Sequence, residues 1–193
     1  MRLRTILAMA VTLPLALDAG TIGFLPTGTY VPAVGSSAQI NVFASGFGKK
    51  VAPSLSAFDL EVAFDPALVS LDPSSVVIDP FNQLNFDGFA LTGFDAPSPG
   101  VLHIFEVSID TSDSLNTLQD GNFLLARFEL TMIAEGISPL HFQNVVLGDA
   151  YGQEISAQLV DGSIQTPEPT SFSLMCFGLA GLVFAQSARR RRI

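Results

Sequence analysis

The sequence contains no tryptophan, two tyrosines (Tyr30 and Tyr151) and a single cysteine, Cys176, in 193 residues. Charge is scarce at 14%, and positive charge is scarcer: 9 Lys and Arg against 18 Asp and Glu. Each shortage excludes something. One cysteine permits no disulfide framework, so the fold must rest on its core. Too little basic charge argues against nucleic acid as a partner, which requires a positive face. The missing tryptophan weakens any reading as a sugar-stacking platform, which favours Trp or Tyr. Two histidines and one cysteine leave no cluster at metal-ligand spacing. There is no Gly-x-Ser-x-Gly elbow and no phosphate-cradling glycine loop. The 48% of hydrophobic residues, 16 of them Phe, rule out a disordered acidic chain.

What charge there is lies unevenly. Six of the nine cations sit at the ends: Arg2 and Arg4, then Arg189, Arg190, Arg191 and Arg192. Residues 20–166 hold 16 of the 18 acids against only Lys49, Lys50 and Arg127, a net charge of −13. An acidic body is therefore flanked by two apolar ends marked with arginine. At the first end, a short positive start precedes an uncharged apolar run at residues 5–17. That run is too short for a bilayer span and fits the core of a signal peptide, here residues 1–19. Cleavage after Ala19 places Leu17 at −3, a poor fit to the small-residue rule.

At the other end, Pro167-Glu168-Pro169 precedes residues 171–188, which carry no charge, and the four arginines follow at once. As a helix, 18 residues reach about 27 Å, just enough for a hydrocarbon core of about 30 Å. The arginines then act as stop-transfer charges on the cytoplasmic side. Residues 166–193 resemble the PEP-CTERM sorting signal of Gram-negative bacteria. The resemblance implies that an exosortase recognises Pro167, Glu168 and Pro169. It further implies an exported chain, held transiently in the inner membrane by its C-terminal helix, then delivered to the cell surface, outer envelope or extracellular matrix. Carriers of such tails are often linked to exopolysaccharide and biofilm. Cys176 falls inside the apolar segment and reads as a small apolar residue.

Residues 20–165 read as one all-β domain. Phe58, Leu60, Val62 and Phe64 alternate with Asp59, Glu61 and Ala63; Val101, His103, Phe105, Val107 and Ile109 alternate with Leu102, Ile104, Glu106 and Ser108. Ala126, Phe128, Leu130 and Met132 alternate with Arg127, Glu129 and Thr131, and Ile40 and Val42 open a further case. Such period-2 patterns are strand signals. Shorter runs at residues 75–78, 86–94, 140–147 and 155–160 bring the count to about eight or nine strands. No segment of the body shows a 3.6-residue apolar period. Turn chemistry punctuates the runs at Asp65-Pro66, Asp72-Pro73, Asp79-Pro80, Ser98-Pro99-Gly100, Asp120-Gly121 and Asp161-Gly162. This spacing predicts an antiparallel sandwich, with one helical turn at Pro66-Ala67-Leu68.

Three stretches carry a second resemblance. They are SAFDLEVAFDPALV at residues 56–69, NFLLARFEL at 122–130, and VLGDAYGQEI at 146–155 followed by DGSI at 161–164. They resemble cohesin-like domains, which implies a nine-stranded jelly-roll β-sandwich related to carbohydrate-binding modules. True cohesins hold dockerins; the resemblance alone does not bring that ligand to this chain. No duplicated calcium loop of the dockerin kind is present.

The candidate chemistry in the body is sparse. His103 and His141 sit in apolar strand contexts and read as sheet-face or partly buried histidines. Asp59 and Glu61 share one strand face about 7 Å apart, a spacing that glycoside hydrolysis can use but that solvated strand carboxylates share. Asp110, Asp113 and Asp120 offer oxygen ligands to calcium without the EF-hand order, and read foremost as loop acids. The sequence thus predicts a non-catalytic envelope or matrix protein with no resident cofactor or metal. Its partners are the exosortase, the membrane through the C-terminal helix, and a protein or polysaccharide ligand of the sandwich. The alternative is a carbohydrate-binding module attached to exopolysaccharide.

Overall fold

The computed structural model describes residues 20–25, 27–48 and 53–166. The expected signal peptide (1–19), the Pro167-Glu168-Pro169 motif, the apolar segment 171–188 and the arginine cluster lie outside them. Among the described residues no helix is long and apolar enough to cross a membrane.

Twelve strands and one helix follow in order: β1 (Gly20–Leu25), β2 (Thr29–Tyr30), β3 (Ser37–Ser45), β4 (Leu55–Ala63), β5 (Val69–Ile78), β6 (Ala90–Ser98), β7 (Val101–Ser108), α1 (Ser112–Leu118), β8 (Asn122–Met132), β9 (Ile137–Asp149), β10 (Glu154–Ile155), β11 (Ala157–Val160) and β12 (Gly162–Gln165). They form two sheets. The first has the order β11-β1-β3-β8-β5; the second has β2-β12-β9-β4-β7-β6, with β10 added beside β9. Most pairs are antiparallel, as the turn spacing predicts, but β1–β11 and β2–β12 are parallel. In both cases a short strand from the end of the body lies beside one from its start. No local pattern announces such a pairing.

The alternating runs do what period 2 requires. Phe58, Leu60 and Val62 of β4 and Leu102 and Ile104 of β7 point inward. From the first sheet, Ile40 and Val42 of β3 meet them together with Phe128 and Leu130 of β8. Each such side chain contributes about 1.5–3 kcal/mol on burial. Phe24 of β1 and Phe142 of β9 join the two sheets as stacked rings 4.2 Å apart, with planes 6° from parallel. Tyr30 packs half-buried beside this edge, donates its hydroxyl to the Leu25 carbonyl, and has its phenol pKa pushed up to about 12 by burial.

Several boundaries differ from the sequence expectation. Asp72-Pro73 does not end a strand: β5 runs through it, and the ladder skips from Asp72 to Val77. The Asp72 carboxylate accepts both the amide and the hydroxyl of Ser74 there, which makes a local bulge resemble a turn. Residues 86–89 lie outside β6, which instead continues through Pro97 to Ser98. A proline fits there because β6 is a sheet edge, where a missing N–H costs no ladder bond. Residues 155–160 divide between β10 and β11, which belong to different sheets. Asp65 makes the anticipated turn, its carbonyl accepting from Leu68 and Val69. The helix α1 was not anticipated. It has seven residues and buries only Leu115, so no apolar stripe could appear, although Thr111 caps its start by accepting from the Ser114 amide at 3.2 Å.

Candidate binding face

The outer surfaces of the two sheets differ in chemistry. On the first sheet, Ser37, Gln39 and Asn41 of β3 face outward beside Arg127, Glu129 and Thr131 of β8. The two hydroxyls of Ser37 and Thr131 meet at 2.9 Å, and Gln39 donates to Asn41. That stretch of the surface is polar, while Phe43 and Leu124, paired across the same two strands, are half-buried farther along it. On the second sheet, the register brings Leu91, Val107 and Ala57 side by side across β6, β7 and β4, and the next row holds Gly93, Phe105, Asp59 and Val146. Leu91 is 65% exposed, Val146 56% and Val107 41%. Aliphatic groups this open, adjacent and in register, form a patch rather than scattered surface apolar residues. Phe105 lies across β6 because Gly93 leaves room; a Cβ there would meet the ring at 2.8 Å.

Carboxylates frame the patch. Asp59 on β4 and Asp95 on β6 hold His103 on the strand between them. Its Nε2 is 2.9 Å from Asp59 Oδ1, and its Nδ1 is 3.2 Å from Asp95 Oδ1. Burial by itself lowers the His103 pKa, but the hydrogen bonds and charges of Asp59 and Asp95 outweigh it and hold the imidazolium above its usual range. The His103 ring also lies against Phe105, 5.6 Å between centroids. Glu61 accepts from Gln143 at 3.1 Å and from Asn144 at 2.7 Å. Asn144 stands at φ 50, in the irregular stretch that bends β9 toward β4. At one end the face deepens into a groove of about 610 Å³, floored by Ala57, Phe105, Val107 and Val146 and edged by Asp59, Asp110 and Glu154.

The candidate residues of the sequence fall as follows. Asp59 and Glu61 share the outer face of β4 but are engaged separately, one by His103 and the other by two amides. His141 lies on the same sheet and bonds Asp161 at 2.6 Å. Asp110 is not a free loop acid: its two oxygens accept the amides of Phe86 and Asp87 at 2.7 and 3.2 Å. Asp113 belongs to the first turn of α1, and Asp120 follows the helix. Among the described residues no three His, Cys, Asp or Glu side chains are grouped to hold a metal. Tyr151 is exposed and its hydroxyl accepts from Asn116 at 3.1 Å. Pro167, Glu168, Pro169 and Arg189, Arg190, Arg191 and Arg192 lie outside the described residues.

Sequence reasoning did not single out the apolar patch or the buried Glu106. The signal in the sequence was that the outer row of β7 holds Val101, Phe105 and Val107, an apolar excess for a strand face in water.

Two comparisons with known proteins place the chain. Residues 165–192 match the PEP-CTERM protein-sorting motif. No curated protein matches the sequence. Among solved structures, the body is similar to a non-cellulosomal cohesin from the hyperthermophilic archaeon Archaeoglobus fulgidus. Identity is 13% and the TM-score 0.58, over 78% of this chain and 93% of that one. It is also similar to the sixth cohesin of scaffoldin B from Acetivibrio cellulolyticus, in complex with a Cel5 dockerin, at 16% identity and TM-score 0.60 over 78% and 100%. A third likeness is to an OlpA cohesin from Clostridium thermocellum in complex with a dockerin, at 12% and 0.61 over 78% and 100%. At such identities the likeness is one of fold. This chain carries a PEP-CTERM sorting motif behind a sandwich of the cohesin fold.

Proposed function

We propose that this is an exported, non-catalytic protein of the cell envelope or extracellular matrix, processed by an exosortase through its C-terminal motif, whose sandwich binds a protein partner on the outer face of the second sheet. The observation that carries the reading is the exposed aliphatic patch of Leu91, Val107 and Val146 around Phe105, framed by Asp59, Glu61 and Asp95, against the polar rows of β3 and β8 on the other sheet. An apolar centre with a polar rim is the anatomy of a protein–protein interface. The solved cohesins bound to dockerins support a protein ligand for this fold. The chemistry of the rim selects the partner's: aliphatic side chains flanked by Lys or Arg, which the acidic frame attracts.

The test is photo-cross-linking in the native envelope, with the reactive residue placed at Val107 or Val146 and, as control, at Gln39 on the polar sheet. The reading predicts a discrete protein adduct from the first two positions, absent from the third and lost when Leu91→Asp is added. Adducts of equal yield from all three positions, or a glycan array with bound polysaccharide displaced by the same Leu91→Asp change, would overturn it.

A further inference from the structure

Glu106 sits on β7 between the outward-facing Phe105 and Val107, and so its own side chain turns into the sandwich, where it is 2% exposed. Its register neighbours are Phe58 on β4 and Thr92 on β6, neither of which carries charge. Its Oε2 is buried with no hydrogen-bond partner among the described residues, and so is Oδ1 of Asn85. The charged group that acts on it is another acid, Asp79, itself 5% exposed and influenced in turn by Asp110. No described cation faces this cluster: Arg127 lies on the outer side of the other sheet, while His103 bonds Asp59 and Asp95 on the opposite side of β7, and His141 bonds Asp161. An ionised carboxylate in such a place is strongly disfavoured without a counter-charge. A protonated one is not, and it supplies the O–H donor that a cluster of acceptors lacks. Burial first, and Asp79 second, push the Glu106 pKa up to about 8.

The segment from Asp79 to Phe89 starts at the acid that acts on this group and leads directly into β6. Apart from the Asp79 amide on the Leu125 carbonyl and the turn from Asn82 to Asp79, side chains hold it. The amides of Gln83 and Leu84 donate to Asp79, both at 2.7 Å; those of Phe86 and Asp87 donate to Asp110. Gln119 Nε2 donates to the Gln83 carbonyl at 3.1 Å, and the Asp120 amide donates to Gln83 Oε1 at 2.7 Å. Leu84 is fully buried beneath the segment. We propose that the carboxyl of Glu106 is a protonation latch: neutral, it lets residues 79–89 pack against the end of the sandwich at the start of β6, next to Leu91; ionised, it draws water in and loosens that segment. Its value as regulation rests on the binding-face reading, but its chemistry does not.

The experiment follows the side-chain carboxyl carbon of Glu106 by NMR from pH 5 to 9.5, in the full-length chain held in detergent micelles. The latch predicts one step near pH 8, so that about one molecule in ten is ionised at pH 7 and about nine in ten at pH 9. The backbone amides of Leu84 and Leu91 move with the same midpoint. Glu106→Gln abolishes that amide step, and Asp79→Asn, which leaves Glu106 in place, lowers its midpoint. A Glu106 titration in the ordinary carboxylate range, or amides that ignore it, overturns the proposal. So does an amide shift produced by calcium in the wild type and absent from Glu106→Gln, since a cation then occupies the cluster. None of these readouts needs a partner: a failed latch leaves the cross-linking intact, and a failed binding face leaves the titration intact.

Discussion

His103 cannot lose its proton without leaving Asp59 and Asp95 flanking a neutral ring, because the imidazole is the charge between them at 2.9 and 3.2 Å. Its raised pKa has a consequence for stability whose sign is fixed. A base held more tightly protonated in the folded state adds stability in full below its unfolded value of about 6.5, and that contribution fades as pH rises through the folded pKa. Asp59→Asn removes the nearer carboxylate, so the His103 ring-proton titration should move down toward 6.5. An unchanged midpoint would show that Asp59 does not bear on the ring. Glu106 acts in the same direction by a different route. As an acid whose pKa is raised, it favours the folded state fully below about 4.5 and loses that preference by about 8. Heat denaturation followed from pH 5 to 9 should therefore show a falling midpoint, and Glu106→Gln should flatten most of the slope.

The strands differ in how readable they are, and the reason is physical. From Phe58 to Val62 in β4 apolar residues alternate with Asp59 and Glu61, so Phe58, Leu60 and Val62 can only face inward. In β7 both rows mix apolar and polar residues, and alternation loses its power to choose; the structure sends Leu102, Ile104 and Glu106 inside and leaves Phe105 and Val107 outside. The candidate face is masked by that same ambiguity, because a strand with an apolar outer row imitates a doubly buried one. β2, and one side of β1, depend on partners more than 120 residues away in the chain, which no local pattern records. The tail was legible because its order of motif, apolar run and arginines is itself the signal. Among connecting elements, α1 ends in Gln119, whose fully buried amide accepts from the Leu55 amide at 2.8 Å and donates to its carbonyl at 2.7 Å. Gln119→Leu keeps the volume and strands both groups. Its expected cost is about 1–3 kcal/mol for each unmet group, read as a lowered urea midpoint with unchanged m. Leu91→Asp, by contrast, changes an exposed edge residue and should leave that midpoint within about 0.5 kcal/mol of wild type.

At the scale of the molecule, an acidic body and a basic-tipped tail have separate tasks. The body needs no disulfide, since Cys176, the only cysteine, lies beyond it. The tail decides delivery. Glu168→Ala, or loss of the host's exosortase, should leave an uncut precursor in the inner membrane. Deleting Arg189 to Arg192 should instead let the apolar segment slip through, because that removes the charges proposed to stop transfer. Membrane fractionation separates these outcomes. The most direct measurement is the intact mass of the exported protein from a host that has an exosortase. The account predicts a mature chain that has lost Arg192 and Ile193 together with the segment before them, ending near Pro167-Glu168-Pro169. An exported form that still carries Arg192 and Ile193 would contradict it, and would make residues 171–188 a plain anchor.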